Sequence, residues 1–211
     1  MRKTEKQKKR NRIIGVVVLV LLIAWGAEVI WINQYYTKNT VQKKRVYYEM
    51  GEEVPFEDNW YIPQTFGEGY SLTINSAEIV DYQTYLAENG YVGKDLDGIM
   101  EDRKILLVYA TLSVTESDAE YIVLNEFTCV TKDTVFYQEW NLLKQINPIL
   151  ENEYVAIQLK DGTSCDLVFP FILYKWQLGS DYNHPERMPL YFKVTVNPVQ
   201  KRVKLKVDVV E

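Results

Sequence analysis

Twenty consecutive residues, Ile13–Ile32 (IIGVVVLVLLIAWGAEVIWI), carry a single charge, Glu28. As a helix such a run rises about 30 Å, the hydrocarbon thickness of a bilayer. Thirteen of the twenty are Leu, Ile or Val. At roughly −0.3 to −0.6 kcal/mol each they favour insertion by about 4–8 kcal/mol. Glu28 opposes this by at most about 3 kcal/mol, and by less near the far interface where it stands, so insertion wins. Trp25, Trp31, Tyr35 and Tyr36 gather at that far end, where an interfacial aromatic belt belongs. Ahead of the span, Met1–Arg12 hold seven basic residues and one acid, Glu5. Positive charge stays on the cytoplasmic side, so the bulk of the chain is expected outside, against the weaker pull of Lys43, Lys44 and Arg45. The expected organisation is a basic cytoplasmic tail (1–12), a transmembrane helix (13–32), a polar stalk (33–60) and an extracytoplasmic domain (61–211). The rival is a cleaved signal peptide, with Ile13–Ala27 as its apolar region and Ala24-Trp25-Gly26 as a small-x-small cleavage site. The apolar run resumes beyond Glu28 and reaches full spanning length, which favours an uncleaved, single-pass anchor in the cell membrane. No Cys stands near the span to accept a lipid, and the carboxy terminus shows no sorting signal.

Setting aside the seven basic residues of the tail, Glu5 and Glu28 leaves 17 basic and 27 acidic residues in the exported part. A domain near −10 repels phosphate backbones, which argues against nucleic acid as a partner. Its pattern is mostly period two, the spacing that sorts side chains to the two faces of a strand. Val203, Leu205, Val207 and Val209 alternate with Arg202, Lys204, Lys206 and Asp208, and Leu190, Phe192, Val194 and Val196 alternate in the same way. Lys104–Thr115 (KILLVYATLSVT) is apolar on both faces and reads as a central strand covered on both sides. Further strands are predicted at Tyr70–Asp81, Tyr121–Thr131, Thr134–Glu139, Tyr154–Lys160 and Ser164–Leu173, the last two joined as a hairpin through Asp161-Gly162. Trp140–Ile146 is a short helix stopped by Asn147-Pro148. About eight short strands in some 150 residues predict an all-β, antiparallel sandwich of immunoglobulin type.

Three stretches carry a family resemblance: Gly69–Glu78 (GYSLTINSAE), Lys104–Thr115 followed by Asn125-Glu126-Phe127, and Leu159–Phe169 (LKDGTSCDLVF). Together they resemble the telokin-like, immunoglobulin-fold domains of unknown function found on surface proteins of Gram-positive bacteria. The resemblance spans roughly Tyr61–Val210 and implies a fold; it brings no catalytic or binding residues with it. Asp161 stands where that family usually has Pro, and the connections Tyr82–Asp102 and Tyr174–Met188 are long.

The chemistry-bearing residues are few. His184 is the only histidine, flanked by Asn183 and Pro185 in a loop, and one imidazole makes neither a multi-histidine metal site nor an identifiable triad. Asp95-Leu96-Asp97-Gly98 with Glu101-Asp102 suggests calcium. In a helix-loop-helix register set by Gly98, however, the loop ends fall on Gly93 and Lys104, neither an oxygen donor of the required kind. No metal, cofactor or catalytic residue is therefore assigned, and the chain is read as a non-enzyme. Cys129 and Cys165, the only cysteines, both sit on predicted core-facing positions, and either a disulfide across the sandwich or two buried thiols fits the residues. The aromatic residues are the more suggestive set. Tyr82, Tyr85, Tyr91, Tyr174, Trp176 and Tyr182 fall in the two long connections, and Tyr and Trp enrich binding surfaces because they bury area while keeping a polar handle. They equally suit a role in stapling the loops to the sandwich. The expected function is a membrane-anchored, non-catalytic module presenting these loops to a protein or cell-envelope partner. One alternative is an accessory subunit of a membrane complex acting through its helix, with Glu28 as the in-membrane contact; another is a secreted protein freed by signal-peptide cleavage.

Overall fold

A computed structural model of the chain describes residues 5–39, 44–62, 65–91, 102–119, 121–150 and 155–210. The chain divides into two units, Met1–Gln42 and Lys43–Glu211. The described residues of the first form one helix, α1 (Glu5–Asn39). Its segment Arg12–Ile32 has a mean hydropathy of 2.7 with no part of it buried, and among the described residues it is the one helix long and apolar enough to cross a membrane. Glu28 lies within it.

The second unit is mostly sheet. It opens with β1 (Lys44–Tyr48) and β2 (Glu53–Pro55), then the antiparallel pair β3 (Trp60–Ile62) and β4 (Thr65–Phe66), and the long strand β5 (Tyr70–Asp81). Helix α2 (Tyr82–Asn89) precedes the central strand β6 (Arg103–Val114). Next come β7 (Ile122–Val123), β8 (Thr128–Val130), β9 (Val135–Phe136), α3 (Trp140–Ile146), β10 (Ala156–Ile157) and β11 (Ser164–Tyr174). One helical turn, α4 (Lys175–Leu178), and two short 3-10 turns lead to β12 (Tyr191–Lys193), β13 (Val199–Lys204) and β14 (Asp208–Val209). Two sheets form the sandwich, one ordered β1-β13-β12-β8-β9 and the other β11-β6-β5-β14 with β2 also on β5. β1 on β13 and β14 on β5 are parallel; the remaining pairs of both sheets are antiparallel.

The core follows from the period-two pattern. Leu106, Val108, Ala110 and Leu112 of β6 point into the space between the sheets, where they meet Phe169 and Phe171 of β11 and Phe192 and Val203 of the opposite sheet. Phe192 packs with its ring centre 5.3 Å from Phe169 and 5.8 Å from Phe171, and Phe127 joins the same group at 5.5 Å from Phe169. Each such buried ring contributes roughly 1.5–3 kcal/mol of burial, and edge contacts between rings add to this. The opposite face of β6 is covered as well: Ile105 and Leu107 pack with Tyr82, Leu142 and Ile172 under α2 and α3. The continuous apolar run of β6 is thus accounted for by two covered faces. Among the described residues, those of both core clusters lie between Tyr48 and Val207, all within the second unit.

Several expectations are corrected. The region read as stalk contains β1 and β2, and Val54 and Phe56 are fully buried, so the folded unit begins near residue 44 rather than 61. Tyr121–Thr131 is two short strands in different sheets, β7 and β8, because a turn at Leu124–Phe127, with Phe127 N donating to Leu124 O at 3.4 Å, interrupts it. Asp161-Gly162 does form a tight turn, with Thr163 N donating to Lys160 O at 3.0 Å and Gly162 at φ 72°. It is not a hairpin, since β10 pairs with β7 and β11 with β6. The carboxy-terminal alternation is likewise shared between sheets: β13 ends at Lys204 and β14 joins β5, leaving Val209 41% exposed.

The cysteines are not bridged; both are free thiols, Cys129 buried and Cys165 half-buried. Cys129 is in register with Phe192, which sits level with Phe169 and Phe171. Cys165 lies four residues along the strand from Phe169, about 13 Å at strand rise, well beyond disulfide reach. Burial holds both thiols protonated, the Cys165 thiol pushed up to about 11 with help from Asp166.

Candidate functional site

The two long connections meet at one end of the β11-β6-β5 sheet. Register explains why: Lys104 lies between Asp81 and Leu173, and Arg103 faces Tyr174, so the residues leaving β5 and those leaving β11 emerge at the same end, on either side of the start of β6. Asp81 caps α2, its Oδ1 accepting from Thr84 N and Oγ1, both at 2.9 Å. Gly90 closes the helix at φ 66°, donating to Leu86 O, a backbone state open to glycine at little cost.

Within this end the six aromatic residues separate into two groups. Tyr82 is fully buried, with the Arg103 guanidinium 4.2 Å over its ring. It is a core residue, which corrects its assignment to an interaction surface: the first residue of α2 faces down onto β6. Tyr85 and Tyr91 are half-buried, their ring centres 5.9 Å apart, and both pack on the cluster beneath α2. They border the Tyr109 hydroxyl, which donates to Glu78 Oε1 at 2.5 Å. Burial, then the neighbouring Tyr91 and Glu78, push Tyr85 up to about 12, and burial with the Glu78 hydrogen bond moves Tyr109 in the same direction. In the second group Trp176 alone is exposed, while Tyr174 and Tyr182 are half-buried and pack against the core clusters. Trp176, 71% exposed, stacks on Tyr174 with ring centres 6.0 Å apart and planes at 23°. Lys104 and Lys175 hold their ammonium groups 5.1 and 5.6 Å from the Tyr182 ring centre. Lys175 also pairs with Asp102, and Tyr182 is raised above the ordinary tyrosine value by burial, then by Asp102 and Asp81.

This arrangement offers flat ring faces, two cations and one carboxylate on a surface. It can hold a partner by stacking, cation–π contact and hydrogen bonding. Among the described residues no group of three or more His, Cys, Asp or Glu could hold a metal. Asp95, Asp97, Gly98 and Glu101, the candidate calcium donors, lie outside the described residues. His184 stands in the loop between the two 3-10 turns, with Nδ1 3.3 Å from Glu186 Oε1.

A second concavity, invisible in the sequence, is a groove of about 480 Å³ between α3 and the outer face of β6 and β11. Asn147 lies at its wall and its amide is fully engaged: Nδ2 donates to Leu143 O and Val168 O, and Oδ1 accepts from Val168 N. The side chain thereby substitutes for a neighbouring strand at the edge of β11. Asn75, Thr111 and Asp166 form a hydrogen-bonded chain across the same face, at 2.9 and 2.7 Å. The pairing of each polar group inside the sheet leaves the groove a structural feature of this face.

Among solved structures, the chain is similar to the yjhA protein from Bacillus subtilis, at 14% identity and a TM-score of 0.41, covering 75% of this chain and 99% of that one. It is also similar to an uncharacterized beta-sandwich protein from Clostridium difficile 630, at 11% identity and a TM-score of 0.38, covering 78% of this chain and 97% of that one. No curated protein matches the chain. Residues 45–201 match the domain of unknown function DUF5028, a span that starts within β1 and ends within β13, and the chain belongs to that family.

Proposed function

We propose that the protein is a non-catalytic binding module of immunoglobulin-like, telokin-like type, held outside the cytoplasmic membrane by α1. It presents the Tyr174–Trp176–Tyr182 end of its sandwich to a protein or cell-envelope partner. The observation that supports this reading is the convergence of the two long aromatic connections at one sheet end, with Trp176 exposed and stacked on Tyr174. Trp and Tyr are the residue types enriched among those that carry binding energy at interfaces.

Two measurements test it. For placement, a carboxy-terminally tagged chain is fractionated and intact protoplasts are treated with protease. The expected result is full-length protein in the membrane fraction with its domain cut from outside; a shorter protein in the medium would make Ile13–Ala27 a signal peptide and remove the tether. For the surface, a photo-crosslinking side chain is placed at position 176, and as a control at 140 on α3, where Trp140 is 51% exposed. A discrete adduct formed at 176, absent at 140 and lost with Tyr182→Ala supports the reading. Equal adducts at both positions sink it.

A further inference from the structure

The sheet on the other side of the sandwich, β1-β13-β12-β8-β9, segregates charge in a way the composition does not foretell. Its strands carry six basic residues, Lys44, Arg45, Lys193, Lys201, Arg202 and Lys204, and no acidic one, although the exported part holds 27 acids to 17 bases. Lys201 turns toward the core side, where it is 4% exposed and bonded to Glu57 Oε2 and Pro55 O, each at 2.6 Å. The register puts Arg45 and Tyr47 beside Gln200 and Arg202, and Tyr191 and Lys193 beside Lys204 and Arg202. These residues therefore share the outer face, opposite buried Val203 and Phe192; Arg45, Tyr47 and Lys204 are exposed on it, Arg202, Tyr191 and Lys193 half-buried, and Gln200 only 8% exposed. Tyr47 and Tyr191 meet there with ring centres 5.4 Å apart. Arg202 donates to Gln200 Oε1 at 2.9 Å. Burial and the adjacent Arg45 guanidinium press it below the ordinary arginine value, and no carboxylate of the described residues is among the neighbours that act on it.

We propose that this outer face docks on an anionic lipid surface, with Arg45, Arg202 and Lys204 meeting headgroup phosphates and Tyr47 and Tyr191 seated at headgroup level. Charge complementarity selects an anion, because two neighbouring guanidiniums repel each other and a negative partner relieves that repulsion. The tyrosine pair selects a bilayer over a dissolved polyanion, since amphipathic rings settle at the membrane interface. A strand face is flat and suits a surface more than a chain. A tether such as α1 keeps the domain at high effective concentration beside a bilayer, so individually weak contacts suffice. The inference shares only that tether with the proposed function and uses the other sheet's face.

The test uses residues 43–211, the unit that holds both core clusters. Cosedimentation is measured with vesicles of phosphatidylcholine alone and with vesicles containing phosphatidylglycerol, at low and at physiological salt. The expected result is binding to the anionic vesicles only, weakened by salt. Each neutralised cation should cost roughly fivefold, so Arg45→Gln/Lys204→Gln, at two exposed positions, falls about 25-fold and the triple variant adding Arg202→Gln about 125-fold. Tyr47→Ser/Tyr191→Ser should weaken binding while leaving the salt dependence intact. Trp176→Ala should bind as the parent does, so failure of the partner surface and failure of this one are distinguishable. Equal binding to neutral and anionic vesicles, no binding to either, or unchanged binding by the double and triple variants overturns the proposal. Competition by soluble polyphosphate as strong per phosphate as the vesicles themselves would make the occupant a dissolved polyanion and overturn it too.

Discussion

Asn147 does at the scale of one side chain what a strand does over several residues. It is 4% exposed, and its amide satisfies the Val168 N–H and C=O that face away from β6 while also holding Leu143 O. In the sequence it is legible only as the residue that ends α3 before Pro148. Its partner stands 21 positions away, and nothing in local spacing announces a side chain reaching across to a strand edge. Replacing it with Ala leaves two backbone groups of β11 to water in a confined groove. The expected loss is about 1–3 kcal/mol, read as a lowered midpoint in urea unfolding of residues 43–211 with an unchanged slope. The aromatic residues of the candidate surface show the same division. Tyr82 and Trp176 are indistinguishable by composition, yet one is fully buried and the other 71% exposed, because the first faces β6 from the start of α2 and the second projects from the turn beyond β11.

Among the elements, β5, β6, β11 and α3 emerge at or within a residue of their predicted bounds. Each is long or strongly periodic, and each carries enough buried area for pattern alone to reveal it. The short strands are another matter. β2 has three residues and depends on β5, whose partners lie some twenty positions on, and β1 pairs with β13 across most of the domain. Such strands exist because a partner edge is waiting, so their own residues need no strong period. α2 lies between these cases: it is eight residues long and no hydrophobic stripe announces it, but Asp81 caps it with two hydrogen bonds. Asp81→Ala is expected to cost about 1 kcal/mol. Amide hydrogen exchange should show the loss concentrated in residues 82–91, with β6 and β11 keeping their protection. Uniform loss across the sheet would mean that α2 and the sheet open as one unit.

For the molecule as a whole, the clearest expected response is to alkali. Tyr85 is raised from 10.0 to about 12, by burial first and then by Tyr91 and Glu78, and Tyr109 is raised alongside it. Where the unfolded chain has already released these protons the folded domain still holds them. This contribution to stability is therefore fully present below pH 10 and is lost as pH climbs toward about 12. Because the Tyr85 ring is half-exposed, the Tyr85 share is on the order of 1 kcal/mol after discounting for solvent. Urea midpoints followed across that window should fall, and Tyr85→Phe should flatten the fall. A parallel decline in the variant would assign it to other groups.

The sequence by itself determined the features that depend on local composition. These are the apolar span of α1, the sheet character of the rest, the two covered faces of β6 and the excess of acid over base. Each is written in consecutive residues, where hydrophobic length and period act directly. Tertiary structure alone decided which strands share a sheet. The alternation from Arg202 to Val209 is continuous on paper, yet its two halves join opposite sheets because hydrogen-bonding edges are available in both. The same cause assembles the basic outer face. Arg45 and Arg202 are far apart in the chain and neighbours only through the parallel pairing of β1 with β13, and a charge pattern built by pairing has no signature in any one segment.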